Sequence, residues 1–230
     1  MLHPKRTNAS DCHTHTHVKK GEDTITFQNT CVMNMKNAVM GARNPMNSWD
    51  RSDSAELPDG TFQFGPNDLD LAKRLIKAGS DHRKFLRQIF VSVNITAPLY
   101  WWKEYDTYKV ATTANSTSTM HKIHAKPIEL SDFSHDHLTE ESERYLTAIV
   151  EYLESIRKRY VETQDKPYWY DLIQLLPESY NQMRTCTLSY ETLRNIAHSR
   201  AGHKLDEWRV GFMEWMRTLP YADELIFYEN

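Results

Sequence analysis

Apolar and polar residues alternate at Val91, Val93 and Ile95, the period of two that predicts a β-strand over Phe90 to Ile95. Elsewhere the spacing is helical. Leu69, Leu71, Leu75 and Ile76 form one stripe, so a helix is expected over Asp68 to Ala78, capped by Asn67 and stopped by Gly79. Leu146, Ile149, Val150, Leu153 and Ile156 predict a longer amphipathic helix from Leu138 to Gln164, broken by Asp165-Lys166-Pro167. Leu205, Trp208, Phe212, Trp215 and Met216 predict a closing helix over Lys204 to Arg217. Cys31 to Ala42 reads as a short helix with Met33, Val39 and Met40 inward, ending at Gly41 to Pro45. Few runs of alternation beside many helical stripes imply an α+β fold, a small antiparallel sheet packed with several helices.

Between the strand and the long helix lies a stretch of another kind. Thr96 is expected to cap a helix with Pro98 in its first turn, running to Lys109. It carries Tyr100, Trp101, Trp102, Tyr105 and Tyr108, of which Trp101, Tyr105 and Tyr108 share one face. The eleven residues from Ala111 to His121 then include seven Ser, Thr or Asn. Such a segment lines a polar ligand, or it is an ordinary surface loop beside a packed aromatic helix. The spacing leaves both open.

With 230 residues, 40% of them hydrophobic and 26% charged, the composition is that of a folded globular chain. One folded unit is expected over residues 24–230, behind a polar tail over 1–23. A net charge of −3 gives no electrostatic footprint for nucleic acid. No apolar run reaches the ~20 residues that span a bilayer. The N-terminus lacks the apolar stretch of a secretory signal, so a cytoplasmic location is expected. Cys12, Cys31 and Cys186 are odd in number and widely spaced, which suits free thiols in a reducing compartment. Cys12, His13, His15 and His17 alternate in the tail without a partner cluster of regular ligand spacing, so no metal site is expected.

Two blocks of this chain resemble the flavin-dependent thymidylate synthases. In that family a strand, an Ala-Pro step and an aromatic helix lead into the signature Arg-His-Arg-x-x-Ser-x-(Asn/Glu)-x-x-Ser-x-Arg-Tyr. Here Ala97-Pro98 and the aromatic helix are present, and Asn115 and Ser118 keep the Asn-x-x-Ser spacing. Thr107-Tyr108-Lys109, or the same site shifted by one, stands for Arg-His-Arg, and Met120-His121 for Arg-Tyr. In the second block, Tyr168 to Arg200, the residues Leu176-Pro177, Thr187, Leu193 and Asn195 match, and Arg200 falls on an Arg that holds the nucleotide phosphate. Ile173 stands for the family's other phosphate Arg, and Ser189 and Glu191 for its flavin-contacting Asn and Arg. Ser48 follows Ala42-Arg43 where the family has a Ser on the flavin, and His82 is the one imidazole near a missing Glu-His pair. Glu104 stands for a Gln on the aromatic helix.

The resemblance implies that family's fold and a homo-oligomer, a tetramer of dihedral symmetry with sites between subunits. It implies a pyrimidine nucleotide held by Arg200, Glu104, Asn115, Ser118 and Lys109, with Arg200's neighbours drawn from different subunits. It also implies flavin adenine dinucleotide as cofactor, against Ser48, His82, Asn195, Ser189 and Glu191. The family uses no protein nucleophile, so binding and electrostatics are the protein's share of the work. Arg holds phosphates because its planar fork donates two parallel hydrogen bonds. Thr107, Ile173 and Glu191 lack that fork and Lys109 keeps only the charge, so weak or absent flavin binding is expected. Three functions stay in contention. They are a thymidylate synthase-like nucleotide enzyme with an eroded flavin site, a non-catalytic nucleotide-binding protein, and a structural homo-oligomer.

Overall fold

The computed structural model describes residues 25–229; the Cys12, His13, His15 and His17 of the tail lie outside them. In chain order the elements are β1 (Thr26–Met33), α1 (Met35–Arg43), β2 (Ala55–Glu56), β3 (Phe62–Gln63), α2 (Pro66–Lys77), β4 (Phe90–Pro98), α3 (Leu99–Tyr105), β5 (Thr113–Ser116), α4 (Thr119–Lys122), α5 (Glu140–Thr163), α6 (Lys166–Gln174), β6 (Asn181–Ser189), α7 (Tyr190–Arg200), α8 (Met213–Arg217) and α9 (Ala222–Leu225). A π-helical turn, Glu207–Phe212, leads into α8.

The main sheet is antiparallel with order β1-β4-β6-β5, so the α+β expectation holds. Its inner face presents Val91, Val93, Ile95 and Ala97 of β4 with Cys186 and Leu188 of β6, all buried. Against them pack Trp101, Trp102 and Tyr105 of α3, Tyr190, Leu193 and Ile196 of α7, and Trp208, Phe212, Trp215 and Met216 of the C-terminal segment. A separate cluster lies under α5, where Leu146, Val150, Leu153 and Ile156 meet Ile123, Ile128, Phe133 and Leu172.

Several boundaries differ from the sequence expectation. β4 continues past Ile95 to Pro98, because each of its residues pairs with β6 as far as Pro98↔Asn181. Thr96 is therefore a strand residue, and Pro98 itself is the N-cap of α3. The first N–H groups of α3 find partners in the loop before β6, with Leu99 N–H donating to Tyr180 O (3.0 Å) and Tyr100 N–H to Glu178 O (3.1 Å). The helix stops at Tyr105 rather than Lys109. Residues 31–33 belong to β1, and Asn34, at φ 70°, turns the chain into α1. The expected inward Met33 and Met40 are half-buried, while Met35, Ala38 and Val39 fill the core. The Ser/Thr segment is not a loop throughout: Thr113–Ser116 pairs with β6, and Thr119–Lys122 is a helical turn.

At α2 the cap is not Asn67. Gly65 occupies the N-cap and Pro66 the first turn. Asp53 supplies the acceptor, taking the N–H groups of Asn67 (2.9 Å) and Asp68 (3.1 Å). A Cβ on Gly65 would lie 2.2 Å from Asp53 Cγ, so this close approach requires glycine. Asp68 is buried and pairs with Arg43 Nε at 2.6 Å. Its other oxygen accepts from Ser52 Oγ (2.7 Å), Ser54 Oγ (2.6 Å), Ser54 N–H (3.0 Å) and Asp53 N–H (3.2 Å). This node ties α1, α2 and the turn after Ser48 together.

Candidate functional site

The aromatic helix is fixed from below by ring packing. Trp101 stacks on Trp208 with centroids 4.4 Å apart, and Tyr105 stacks on Trp101 at 5.2 Å. Trp102 donates Nε1–H to Gln182 O at 2.9 Å. With three rings of α3 buried, Glu104 is left on its flank, half-buried and facing the end of α7.

There it meets Arg200, the last residue of α7. Arg200 Nη1 is hydrogen-bonded to Glu104 Oε2, and Arg200 Nε donates to Tyr108 Oη at 2.8 Å. The guanidinium lies over the rings of Tyr108 (5.4 Å) and Trp208 (5.0 Å). His203 Nε2 approaches the same Glu104 oxygen at 3.0 Å. His203 Nδ1 accepts from the Leu205 N–H at 3.2 Å, so in the neutral ring the proton sits on Nε2 and points at Glu104. The result is a partly open anion-binding corner, built from one guanidinium, one imidazole N–H and two aromatic faces, with a carboxylate already seated in it. Arg200 does not merely cap its own helix.

Of the sequence-expected nucleotide residues, Arg200 and Glu104 are thus brought together within one chain. Asn115 lies on β5 opposite Thr185, and Ser118 caps α4 by accepting the His121 N–H at 2.9 Å. Both are exposed, as is Lys109 in the turn after α3. Tyr108, His203 and Trp208 complete the corner. In the sequence Tyr108 stood out as an aromatic and as the match to the signature's His, Trp208 as part of an apolar stripe, and His203 not at all.

Of the residues matched to flavin, Ser189 and Glu191 lie at the opposite end of α7 and Asn195 at its middle. Ser189 Oγ caps the helix, accepting the Thr192 N–H at 3.2 Å. Eleven residues separate Ser189 from Arg200, about 16 Å along the axis. Glu191 is buried and takes Arg83 Nε at 2.9 and 3.1 Å on its two oxygens. His82 and Asn195 are exposed, and Ser48 accepts Arg43 Nη1 through its carbonyl at 3.3 Å. Among these residues Arg83 is paired with the Glu191 carboxylate, and Ser189 spends its hydroxyl on the cap.

A second polar junction lies behind α3. Tyr100 Oη is hydrogen-bonded to Glu207 and lies 3.0 Å from Ser134 Oγ. Burial first, and the Glu207 bond second, push the Tyr100 phenol well above its usual range. Arg184 bonds Asp106 (2.9 Å) and lies 4.3 Å over the Trp102 ring. Among the described residues no group of three or more His, Cys, Asp or Glu is placed to hold a metal ion. No helix among them is long and apolar enough to cross a membrane.

No family model and no curated protein matches this sequence. Solved structures do. Thymidylate Synthase X (ThyX) from Helicobacter pylori, with FAD and dUMP, superposes with a TM-score of 0.65 at 17% identity, covering 86% of this chain and 94% of that one. A second structure of the flavin-dependent thymidylate synthase ThyX from the same organism, complexed with FAD and dUMP, gives a TM-score of 0.62 at 19% identity, covering 86% and 95%. The chain has a ThyX-like fold.

Proposed function

We propose that this chain is a thymidylate synthase-like nucleotide protein that binds a pyrimidine nucleoside monophosphate with Arg200 as its phosphate anchor. One observation carries the reading: the Arg200 guanidinium is held by its Nε bond to Tyr108 Oη and lies 5.0 Å from the Trp208 ring centre, at the partly exposed end of α7. A fork so fixed loses little entropy when an oxyanion docks on it, and the half-buried Tyr108 ring beside it suits a base. The two ThyX structures that share the fold were solved with dUMP. Asn115, Ser118 and Lys109, all exposed, enter such a site from another protomer of a homo-oligomer, with a tetramer favoured. α5 leaves Tyr145, Ile149 and Tyr152 exposed, apolar surface that an assembly has reason to cover. Light scattering is expected to return about four times the 27.1 kDa chain mass. The monomer mass at micromolar concentration contradicts assembly.

A reading as nucleotide enzyme and a reading as non-catalytic nucleotide binder share this site. The Arg83–Glu191 pair favours the second, because it removes a charge that flavin chemistry would use. Thermal melts test the site itself. Deoxyuridine monophosphate at a hundred-fold excess over its Kd stabilises a binding protein by about 2.7 kcal/mol. Deoxyuridine without the phosphate is expected to stabilise it far less. Equal shifts with both, or none with either, retire the proposal.

A further inference from the structure

The Arg200 corner already contains an anion, and that occupant has consequences for what else it accepts. Arg200 offers an oxyanion two edges, Nε with Nη2 and Nη1 with Nη2. Tyr108 takes the Nε donor of one edge at 2.8 Å, and Glu104 takes an Nη1 donor of the other. Glu104 is not loosely placed. The same oxygen, Oε2, receives His203 Nε2 at 3.0 Å, and His203 is itself held through Nδ1 by the Leu205 N–H. The pair is also reachable: the Arg200 side chain is 17% exposed, that of His203 18%, and that of Glu104 38%. An incoming phosphate therefore meets a carboxylate at the donors it needs, and like charges at that range repel. Glu104 Oε1, not engaged by those two bonds, is left to accept.

Resting on the reading of Arg200 as a phosphate anchor, we propose that Glu104 is the selectivity element of the site. It excludes small inorganic anions, and it admits a phosphomonoester only when the same ligand brings an N–H or O–H donor to Glu104. A nucleoside monophosphate meets both demands, with its phosphate on Arg200 and a sugar hydroxyl or base N–H on the carboxylate. Inorganic phosphate at neutral pH meets only the first. Glu104 thus turns a general anion site into one that reads two ends of a single molecule.

Calorimetric titration of the full chain tests this, with inorganic phosphate and deoxyuridine monophosphate as the two probes. Wild type, Glu104→Gln and the double variant Glu104→Gln/Arg200→Ala are compared, with Arg200→Ala as the reference. Neutralising Glu104 is expected to raise affinity for inorganic phosphate by about ten-fold or more. The gain should vanish in the double variant, and the preference for the nucleotide over phosphate should shrink. Phosphate affinity that stays level or falls in Glu104→Gln overturns the proposal. If Arg200→Ala still weakens the nucleotide, the anchor reading survives that result. Indifference of both probes to Arg200→Ala, in either background, overturns the anchor and the proposal together. Glu104→Ala, checked by thermal melting, replaces Glu104→Gln should the latter fail to fold.

Discussion

Arg83 and Glu191 stand 108 residues apart in sequence, and Arg83 Nε reaches both oxygens of the Glu191 carboxylate, at 2.9 and 3.1 Å. The pair sits at the first turn of α7, where a carboxylate is favoured by the N-terminal dipole. A buried acid whose two oxygens share the Arg83 Nε donor ties that cation down, so Arg83 is not free for a ligand phosphate.

That arrangement sets an expectation for flavin. The purified protein should be colourless, and titration with flavin adenine dinucleotide should give a Kd weaker than about 1 μM, the level of about −8.2 kcal/mol. Flavin absorbance that stays with the protein through gel filtration, or a sub-micromolar Kd, contradicts it.

The Arg43–Asp68 node makes stability depend on pH. Burial pushes the Asp68 carboxyl up, but the hydrogen bonds of Ser54, Ser52 and Arg43 outweigh it and hold the group below the usual carboxylate range. A depressed folded-state value means the node's contribution is complete above the unfolded carboxyl value, about 3.9, and is lost as pH falls through the folded one. Denaturant melts are expected to show stability falling below about pH 4, with that slope reduced in Asp68→Asn. Asp68→Ala leaves Arg43 buried and unpaired and should cost about 3–5 kcal/mol. A loss under about 1 kcal/mol, the scale of an exposed pair, contradicts the role.

Tyr100 joins α3 to the π-helical turn through Glu207 and to the 134 loop through Ser134. Glu207 is buried, and its Oε2 has no hydrogen-bond partner among the described residues. Tyr100→Phe deprives its carboxylate of the phenol donor and should destabilise by about 1–3 kcal/mol in urea melts. Unchanged stability shows that Glu207 finds another donor or is not held by Tyr100.

Much of this was legible in the sequence, and the gaps have physical causes. β4 announced itself because its core positions are Val91, Val93 and Ile95, all β-branched. α5 was readable from its stripe, and Gly79, at φ 105°, ended α2 as glycines in that conformation do. β6 gave no such signal, although it lies at the centre of the sheet. Its inward positions are Gln182, Arg184, Cys186 and Leu188, and Arg184 turns aside onto Trp102 and Asp106. β5 is an edge strand of exposed Thr, Ala, Asn and Ser, and its hydrogen bonds come from β6 rather than from any pattern of its own. At the site, Arg200 and Glu104 were found by resemblance to a family. Their mutual pairing, His203 beneath them and Arg83 on Glu191 are contacts between distant segments, which local spacing does not encode.

The affinity of Arg200→Ala for a pyrimidine nucleoside monophosphate bears most directly on the site. Calorimetry with deoxyuridine monophosphate on wild type, Arg200→Ala and Arg200→Lys is the measurement. If Arg200 anchors the phosphate, Arg200→Ala weakens binding by about 1.5–3 kcal/mol, ten-fold to over a hundred-fold. Arg200→Lys restores only part of it, since a point charge lacks the fork. Equal binding by wild type and Arg200→Ala, or no binding by either, contradicts the nucleotide site and leaves the ThyX-like fold without that function.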